Sequence, residues 1–255
     1  MRNKIGIYVL TGVLCIGLLY TCQYQAGKKS SEDEYVSSFN YPEGKTWAHG
    51  VNDTLTAQQK SARFDGIEVD LNFCSYQNQL FVGHELCDTV NLLSFDMWVK
   101  AIPCPQEHWY WIDMKNLNER NSDSIADIIL QVSEKYGIKH RLMVENKNEK
   151  ALKILKDRGL YVILWVDNIY YSQRSPKAWL KLTRAQVKYL HPDALSCEYT
   201  MFPLLPQSFP KLNIHFWHTP NPYNAENVAA TKNICSDTSV KVVLVDYDFP
   251  VENYK

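Results

Sequence analysis

Short runs of consecutive apolar residues alternate with longer amphipathic stretches along most of the chain. The eight strongest runs are 46–50, 66–73, 109–115, 141–146, 161–166, 194–199, 213–219 and 240–248. Continuous apolar runs are typical of strands that are covered on both faces, as in a parallel sheet. The pattern therefore predicts eight buried parallel strands.

Helices are predicted between these strands. The candidates are 54–64, 94–101, 122–136, 149–158, 176–190, a weak segment near 203–209, and 225–234. Gly137 and Gly159 follow two of them, where C-cap glycines belong. The alternation predicts an α/β protein with one (β/α)8 TIM-barrel domain. An open doubly wound sheet fits less well, because no glycine-rich phosphate-binding turn follows the first strand.

The first 42 residues have a different character. Arg2 and Lys4 precede an uncharged, largely apolar run at 5–22, which predicts an export signal or membrane anchor. Residues 19–22 resemble a bacterial lipobox ending in Cys22, although Thr21 is not the usual small residue. A lipoprotein at the cell envelope is the preferred interpretation, and a retained anchor or simple secretion stays open. Residues 23–42 predict a flexible tether that leads into the barrel domain, 43–255.

Composition supports one exported globular domain. The chain has 255 residues, of which 45% are hydrophobic and 22% charged, with a formal net charge of −1. No basic stretch indicates a nucleic-acid partner. The domain carries an odd number of cysteines without the spacing of a zinc site. Pairing of Cys87 with Cys104 and buried free thiols are both open.

Polar residues fall late in the predicted strands, where a barrel places its chemistry. The side chains of Glu68 and Asp70 point to one side of the second strand, and their Cα atoms are about 7 Å apart. Asp113 lies late in the next strand. Such a trio of carboxylates needs a cation, protons or a nearby lysine. Oxygen ligands suit one divalent cation, Mg²⁺ or Ca²⁺, and a structural ion pair with Lys or Arg is the alternative.

Two histidines accompany the carboxylates. His49 ends the first predicted strand, and His84 follows a short apolar run after the second. Because histidine titrates near neutral pH, such a pair suits general acid/base catalysis. Lys115 points to the same side as Asp113 and would either bind a phosphate oxygen or neutralise the carboxylates.

Four segments resemble the ordered motifs of one superfamily. They are His-Gly-Val-Asn at 49–52, Gly-Ile-Glu-Val-Asp at 66–70, Val-Gly-His-Glu at 82–85 and Ile-Asp-Met-Lys at 112–115. Together they resemble the phospholipase-C-like phosphodiesterases, which include the glycerophosphodiester phosphodiesterases and the sphingomyelinase D toxins. The form of 47–52 is most similar to the menorin family of that superfamily.

The resemblance implies a role for each matching residue. It implies metal ligands at Glu68, Asp70 and Asp113, an acid/base pair at His49 and His84, phosphate binding by Lys115, and substrate contacts near Asn52 and Trp217. Gly50 departs from the pattern, since glycerophosphodiesterases usually carry a phosphate-contacting arginine there.

These observations lead to one expected function and one alternative. The chain is expected to be a metal-dependent phosphodiesterase that acts on a glycerophosphodiester, lysophospholipid or sphingolipid type of substrate, with a cyclic phosphate as a possible product. The alternative is a non-catalytic cell-surface barrel that binds a ligand or partner. A glycosidase fits less well, because the seventh strand ends at His218 rather than at a carboxylic acid.

Overall fold

Eight parallel strands close into a ring, and a further strand forms a hairpin with the second of them. The computed structural model describes residues 39–85, 93–219 and 224–253. Its strands are β1 (Thr46–Ala48), β2 (Gly66–Cys74), β3 (Gln79–Val82), β4 (Trp109–Met114), β5 (Leu142–Asn146), β6 (Tyr161–Trp165), β7 (Ala194–Glu198), β8 (Asn213–Trp217) and β9 (Val240–Val245). The ring closes because β1 pairs with both β9 and β2. The predicted (β/α)8 barrel is confirmed.

Helices follow the strands as the amphipathic stretches predict. They are α1 (Thr54–Ser61), α2 (Phe95–Ala101), α3 (Ser122–Tyr136), α4 (Glu149–Asp157), α5 (Pro176–Leu190), α6 (Leu204–Ser208) and α7 (Ala225–Cys235). Asp53 caps α1 by accepting a hydrogen bond from the Thr56 amide at 2.8 Å. Gly137 caps the C-terminal end of α3. Its φ of 69° is a left-handed conformation that glycine adopts without steric cost.

The hairpin formed by β2 and β3 is the main element that the sequence did not predict. β3 runs antiparallel to β2, with Leu71 opposite Val82 and Cys74 opposite Gln79. The hairpin returns the chain to the carboxyl ends of the parallel strands, which we call the rim of the barrel. The Gly83 amide donates to the Asp70 carbonyl there at 3.0 Å, which places His84 at the rim.

The opposite end of the barrel, which we call the base, is closed by residues preceding β1. Phe39 packs on the ring of Tyr161 with a centroid distance of 4.6 Å. The Tyr41 hydroxyl contacts that of Tyr161 and lies 2.9 Å from Nε2 of His215. The packed domain therefore includes residues 39–42, which the sequence placed at the end of the tether.

His215 is buried inside the barrel on β8, and its Nδ1 atom has no hydrogen-bond partner among the described residues. Burial lowers the pKa of His215 to about 3, so the ring is neutral in the folded protein. The unfolded chain would take up a proton at this residue near its usual pKa of about 6.5. Below that pH the unfolded state binds more protons than the folded state, and stability falls as the pH is lowered.

We therefore predict that His215→Gln makes the unfolding free energy less sensitive to acid. Urea unfolding at pH 7 and pH 5 should show a smaller difference for the variant than for the wild type. The variant also loses the contact with Tyr41, which costs about 1 kcal/mol at pH 7. The exposed His140 provides the control, since His140→Gln should leave the acid dependence unchanged. Equal acid dependence in wild type and His215→Gln would contradict the prediction.

The predicted export signal, the greater part of the tether and Cys87 lie outside the described residues. Within the described ranges, no helix has both the length and the apolar character needed to cross a bilayer. The four cysteines that the structure describes are free thiols, and Cys197 is fully buried.

Candidate functional site

Three carboxylates converge at the rim, as the sequence predicts. Glu68 and Asp70 share one face of β2, and Asp113 on β4 lies directly beside Asp70 in the register of the two strands. One oxygen from each of the three side chains lies within 4.8 Å of the others. Glu68 and Asp70 are only 2% and 5% exposed, so the surrounding water screens their charges weakly. We call these three residues the acidic cluster.

Lys115 lies between two members of the acidic cluster. Its Nζ atom is 2.6 Å from Oδ1 of Asp70 and 2.6 Å from Oδ2 of Asp113. Burial and the neighbouring carboxylates raise the pKa of Glu68 above its usual range. Burial likewise raises the pKa of Asp113, although Lys115 opposes this effect. One ammonium balances only one of the three carboxyl groups, so protons or a further cation at the other two lower the energy of the acidic cluster.

A divalent cation fits both the charge and the spacing of the acidic cluster. Oxygen ligands lie about 2.1 Å from Mg²⁺ and about 2.4 Å from Ca²⁺, so two oxygens on one ion are at most about 4.2 or 4.8 Å apart. The three ligand oxygens all lie within 4.8 Å of one another, so their spacing is compatible with one ion of either kind. Glu68, Asp70 and Asp113 are the residues that would hold the ion.

His49 follows β1 and lies beside the acidic cluster. Its Nε2 atom is 4.0 Å from Oε2 of Glu68, and its Nδ1 atom is 2.8 Å from Oδ1 of Asp246. Burial lowers the pKa of His49, but the hydrogen bond with Asp246 and the charge of Glu68 outweigh it and raise the value to about 9. Asp246 therefore fixes the ring with Nε2 directed toward the cluster.

The contact with Asp246 was not predicted, although Asp246 lies late in the eighth apolar run, 240–248. The available signal was the closure of the barrel, which brings β9 beside β1. Trp47 and Leu244 are register partners in these two strands, as are Ala48 and Val245. Continuation of this register places His49 opposite Asp246.

Gly50 contacts the acidic cluster through its backbone. Its amide donates a hydrogen bond to Oε2 of Glu68 at 2.6 Å. The φ angle of Gly50 is +66°, in the left-handed region that side-chain-bearing residues rarely adopt. The absence of arginine at this position therefore accompanies a backbone conformation that favours glycine.

Asn52 supports the acidic cluster from the loop after β1. Its Nδ2 atom donates to Oδ2 of Asp70 at 2.6 Å, and its Oδ1 atom accepts from the Asp70 amide at 3.0 Å. This paired contact fixes the orientation of the Asp70 carboxylate. The structure thus places Asn52 against a predicted metal ligand.

His84 lies at the rim after β3, and its side chain is 64% exposed. Its Nδ1 atom lies 3.1 Å from Oε1 of Glu85. His84 is close enough to Asp113 to be one of the charges that influence the pKa of that carboxyl group. The structure therefore brings His84 to the same side of the rim as the acidic cluster, in a more open position than His49.

A further carboxyl group, that of Glu145, differs from those of the acidic cluster. Glu145 is buried inside the barrel, where Oε2 accepts from Nε1 of Trp111 at 3.2 Å and the other oxygen accepts from the hydroxyl of Ser196. Burial and the charge of Asp113 raise the pKa of Glu145. The late position of Glu145 in its strand did not predict that its side chain points into the core.

Trp217 ends β8 on another part of the rim. Its ring lies 6.1 Å from that of Trp165, and both line a cavity formed by the ends of β5 to β8. The structure therefore places Trp217 away from the acidic cluster around the ring of strands, since β9 and β1 lie between β8 and β2.

Comparison with known proteins found similarity in structure but not in sequence. No protein-family model and no curated protein matches this chain. A glycerophosphodiester phosphodiesterase from Parabacteroides distasonis ATCC 8503 superimposes with a TM-score of 0.59 at 15% identity, covering 84% of this chain and 96% of that chain. A phosphodiesterase from Oleispira antarctica, solved with the product sn-glycerol-3-phosphate, has a TM-score of 0.56 at 14% identity over 83% of this chain and 95% of that chain.

The same fold occurs in a glycerol uptake operon antiterminator-related protein from Thermotoga maritima MSB8, with a TM-score of 0.51 at 12% identity over 82% of this chain and 98% of that chain. At these identities the likeness establishes the fold, while function has to be inferred from the site. The predicted resemblance to phospholipase-C-like phosphodiesterases is confirmed at the level of the barrel. The closer resemblance to menorin stays a prediction.

Proposed function

We propose that this protein is a metal-dependent phosphodiesterase. The observation that carries the proposal is the convergence of Glu68, Asp70 and Asp113 beside His49 at the rim of the barrel. Active sites of (β/α)8 enzymes lie at this end of the strands. Glycerophosphodiester phosphodiesterases of known structure share the fold and support the same activity.

The residues of the site have complementary roles in this proposal. A bound Mg²⁺ or Ca²⁺ would supply electrostatic stabilisation of the charge that develops on the phosphate. Lys115 binds a phosphate oxygen, while its contacts with Asp70 and Asp113 orient its ammonium group. Asn52 holds the Asp70 carboxylate in place, and the Gly50 amide does the same for Glu68.

His49 and His84 transfer the protons. Asp246 accepts the hydrogen bond from Nδ1 of His49, so Nε2 is the atom that exchanges a proton with the substrate. His84 exchanges the second proton from its exposed position at the same rim. One histidine deprotonates the attacking hydroxyl group and the other protonates the leaving oxygen. Attack by water yields hydrolysis, and attack by a neighbouring substrate hydroxyl yields a cyclic phosphate.

The proposed substrates are phosphodiesters of the glycerophosphodiester, lysophospholipid or sphingolipid type. An exported protein tethered to the membrane by residues 1–42, as the sequence predicts, would meet such compounds at the cell envelope. Gly50 offers no side chain where glycerophosphodiesterases usually carry a phosphate-contacting arginine, which favours a substrate other than the usual glycerophosphodiesters.

Phosphorus NMR with a panel of these diesters tests the proposed activity. We expect the purified protein to convert at least one diester in the presence of Mg²⁺ or Ca²⁺ and to lose this activity with excess chelator. The chemical shift of the product distinguishes a monoester from a cyclic phosphate. Turnover that is unchanged by chelator would contradict the metal dependence, and lack of turnover across the panel would contradict the proposal.

The bridging position of Lys115 favours one alternative, a non-catalytic barrel that binds a ligand or partner. Its two 2.6 Å contacts partly compensate the charge of the acidic cluster without any metal ion. Calorimetric titration with Mg²⁺ and Ca²⁺ separates the two functions. A phosphodiesterase of the proposed type binds one of these ions at the acidic cluster, whereas the alternative predicts no binding there.

A further inference from the structure

A cavity of about 290 Å³ opens at the rim, between the ends of β5, β6, β7 and β8. Its walls include Lys147, Trp165, Asp167, Asn168, Glu198 and Trp217. Its lining does not include the acidic cluster, although β5 is the neighbour of β4, which carries Asp113. Of its residues, only Trp217 is among the substrate-contacting positions that the sequence resemblance implies.

Two aromatic walls define the shape of the cavity. The indole rings of Trp165 and Trp217 lie 6.1 Å apart at an angle of 86°. Perpendicular indoles offer apolar faces for either a ring that bears C–H groups or a quaternary ammonium group. The Lys147 ammonium already lies 3.8 Å from the centroid of the Trp165 ring. Any ligand that packs on that face has to displace the Lys147 ammonium, and a cationic ligand is in addition repelled by its charge.

The charges on the cavity walls cancel one another. Lys147 and Arg174 each contact one oxygen of Asp167, at 3.1 and 3.3 Å. Glu198 provides the second carboxylate. A cation entering the cavity would meet Lys147 and Arg174, and an anion would meet Asp167 and Glu198. The charge distribution therefore favours a neutral ligand.

The polar groups of the cavity are held in fixed orientations. Nδ2 of Asn168 donates to Oε2 of Glu198 at 2.6 Å and lies 2.7 Å from the hydroxyl of Thr200. Oδ1 of Asn168 accepts from the Tyr170 amide at 2.9 Å. Carboxylates accept hydrogen bonds and guanidinium groups donate them, and a hydroxyl group can do both. A ligand with several hydroxyl groups would satisfy both kinds of partner.

The cavity lies next to Lys115, the proposed phosphate-binding residue, because β5 is the neighbour of β4. Asp113 and Glu145 are register partners in these strands. Lys115 follows Asp113 by two residues, and Lys147 follows Glu145 by two residues. Because adjacent strands lie about 4.8 Å apart, the two lysines come from neighbouring positions of the rim. Asn146 fixes this junction by donating from Nδ2 to the Met114 carbonyl at 2.5 Å. A molecule with its phosphate at Lys115 can therefore extend toward Lys147 and the cavity.

We propose, on the basis of the proposed function, that this cavity binds a neutral, polyhydroxylated ring, such as a sugar or cyclitol, as the alcohol part of the phosphodiester. The C–H faces of the ring pack on Trp165 and Trp217. Its hydroxyl groups form hydrogen bonds with Asp167, Arg174 and Glu198. The lysine over Trp165 disfavours a choline group in the same place.

Binding of small probes tests this assignment without any catalytic step. The full chain is titrated with methyl α-D-glucopyranoside, myo-inositol and choline chloride, and binding is followed by saturation-transfer NMR and calorimetry. We expect at least one of the two rings to bind more tightly than choline. Trp165→Ala and Arg174→Ala should each weaken ring binding by about tenfold or more, which corresponds to about 1.4 kcal/mol.

Arg158→Ala is the matched control, because Arg158 forms comparable surface ion pairs with Asp123 and Asp127, outside the cavity. It should leave ring binding unchanged. Circular dichroism establishes that each variant is folded. If removal of the Trp165 indole destabilises the barrel, the ring affinity of Arg174→Ala still tests the assignment, because the Arg174 side chain is half exposed. Tighter binding of choline, absence of ring binding, or wild-type ring affinity in folded Arg174→Ala would overturn the assignment.

The activity assay separates this inference from the proposed function. If either ring binds in the cavity but no phosphodiester is cleaved, the function is wrong and the ligand class of the cavity stands. If diesters are cleaved, phosphoinositol esters should be cleaved more efficiently than phosphocholine esters, and Arg174→Ala should reduce that preference. Cleavage with the opposite preference would retain the phosphodiesterase and overturn the cavity assignment.

Discussion

Asp70→Asn should abolish divalent-cation binding and lower phosphodiesterase turnover by about 10²-fold or more. Asp70 is the central residue of the acidic cluster, since one oxygen contacts Lys115 and the other accepts from Asn52. The amide of asparagine keeps the size of the side chain but removes its negative charge. Affinity for Mg²⁺ and Ca²⁺ is measured by calorimetry, and turnover by phosphorus NMR on the best substrate.

Asp193→Asn is a suitable control for this substitution. Asp193 is also buried and also contacts a lysine, with Oδ1 2.8 Å from Nζ of Lys156. It precedes β7 and so lies near the base, away from the acidic cluster. Both substitutions should lower the stability of the barrel, because each removes the charge of a buried carboxylate that contacts a lysine. Only Asp70→Asn should remove cation binding, and equal cation affinity in wild type and Asp70→Asn would refute the proposed metal site.

Replacement of either histidine should also cause a large loss of activity. We expect His49→Ala and His84→Ala each to lower kcat by about 10²-fold or more, because each removes one proton-transfer group. The circular dichroism spectrum and the cation affinity of both variants should remain near those of the wild type. His140→Gln, on the surface before β5, is the control. Full activity in both alanine variants on a verified substrate would show that the histidine assignment is wrong.

Asp246→Asn distinguishes positioning of His49 from direct participation. The carboxylate of Asp246 is one cause of the raised pKa of His49, so its neutralisation should lower that pKa from about 9. The titration of His49 is measured by NMR on the cation-free protein. We expect kcat to fall by about tenfold, less than in His49→Ala, and its pH dependence to change. An unchanged pKa of His49 would show that the 2.8 Å contact does not position the ring in solution.

The fold could be predicted because each parallel strand is covered on both faces. β6 and β9 consist almost entirely of apolar residues, and burial of such segments leaves few alternatives to a parallel sheet. The acidic cluster could be predicted for a related reason. Residues at i and i+2 of a strand share a face, so Glu68 and Asp70 had to point together once β2 was recognised.

Other features depend on contacts between distant parts of the chain. The pairing of His49 with Asp246 requires the ring to close in one register, which no local pattern specifies. Tyr41 looked like part of a polar tether because its hydrogen-bond partners, Tyr161 and His215, are far away in sequence. β3 was missed because a run of four residues is too short to distinguish a hairpin strand from a loop.

The backbone at Gly50 limits how this site could change during evolution. Apart from the adjacent residues, nothing lies within 4 Å of the position that a Cβ atom would take, so an arginine would meet no clash at its Cβ. At a φ of +66° it would still cost about 1 to 3 kcal/mol. Relief of that strain would turn the peptide and displace its amide from Glu68. Gly50→Arg alone would thus add a phosphate contact but lose the hydrogen bond from the residue 50 amide to Glu68. Acquisition of the arginine-containing motif therefore requires several coordinated changes in the loop after β1.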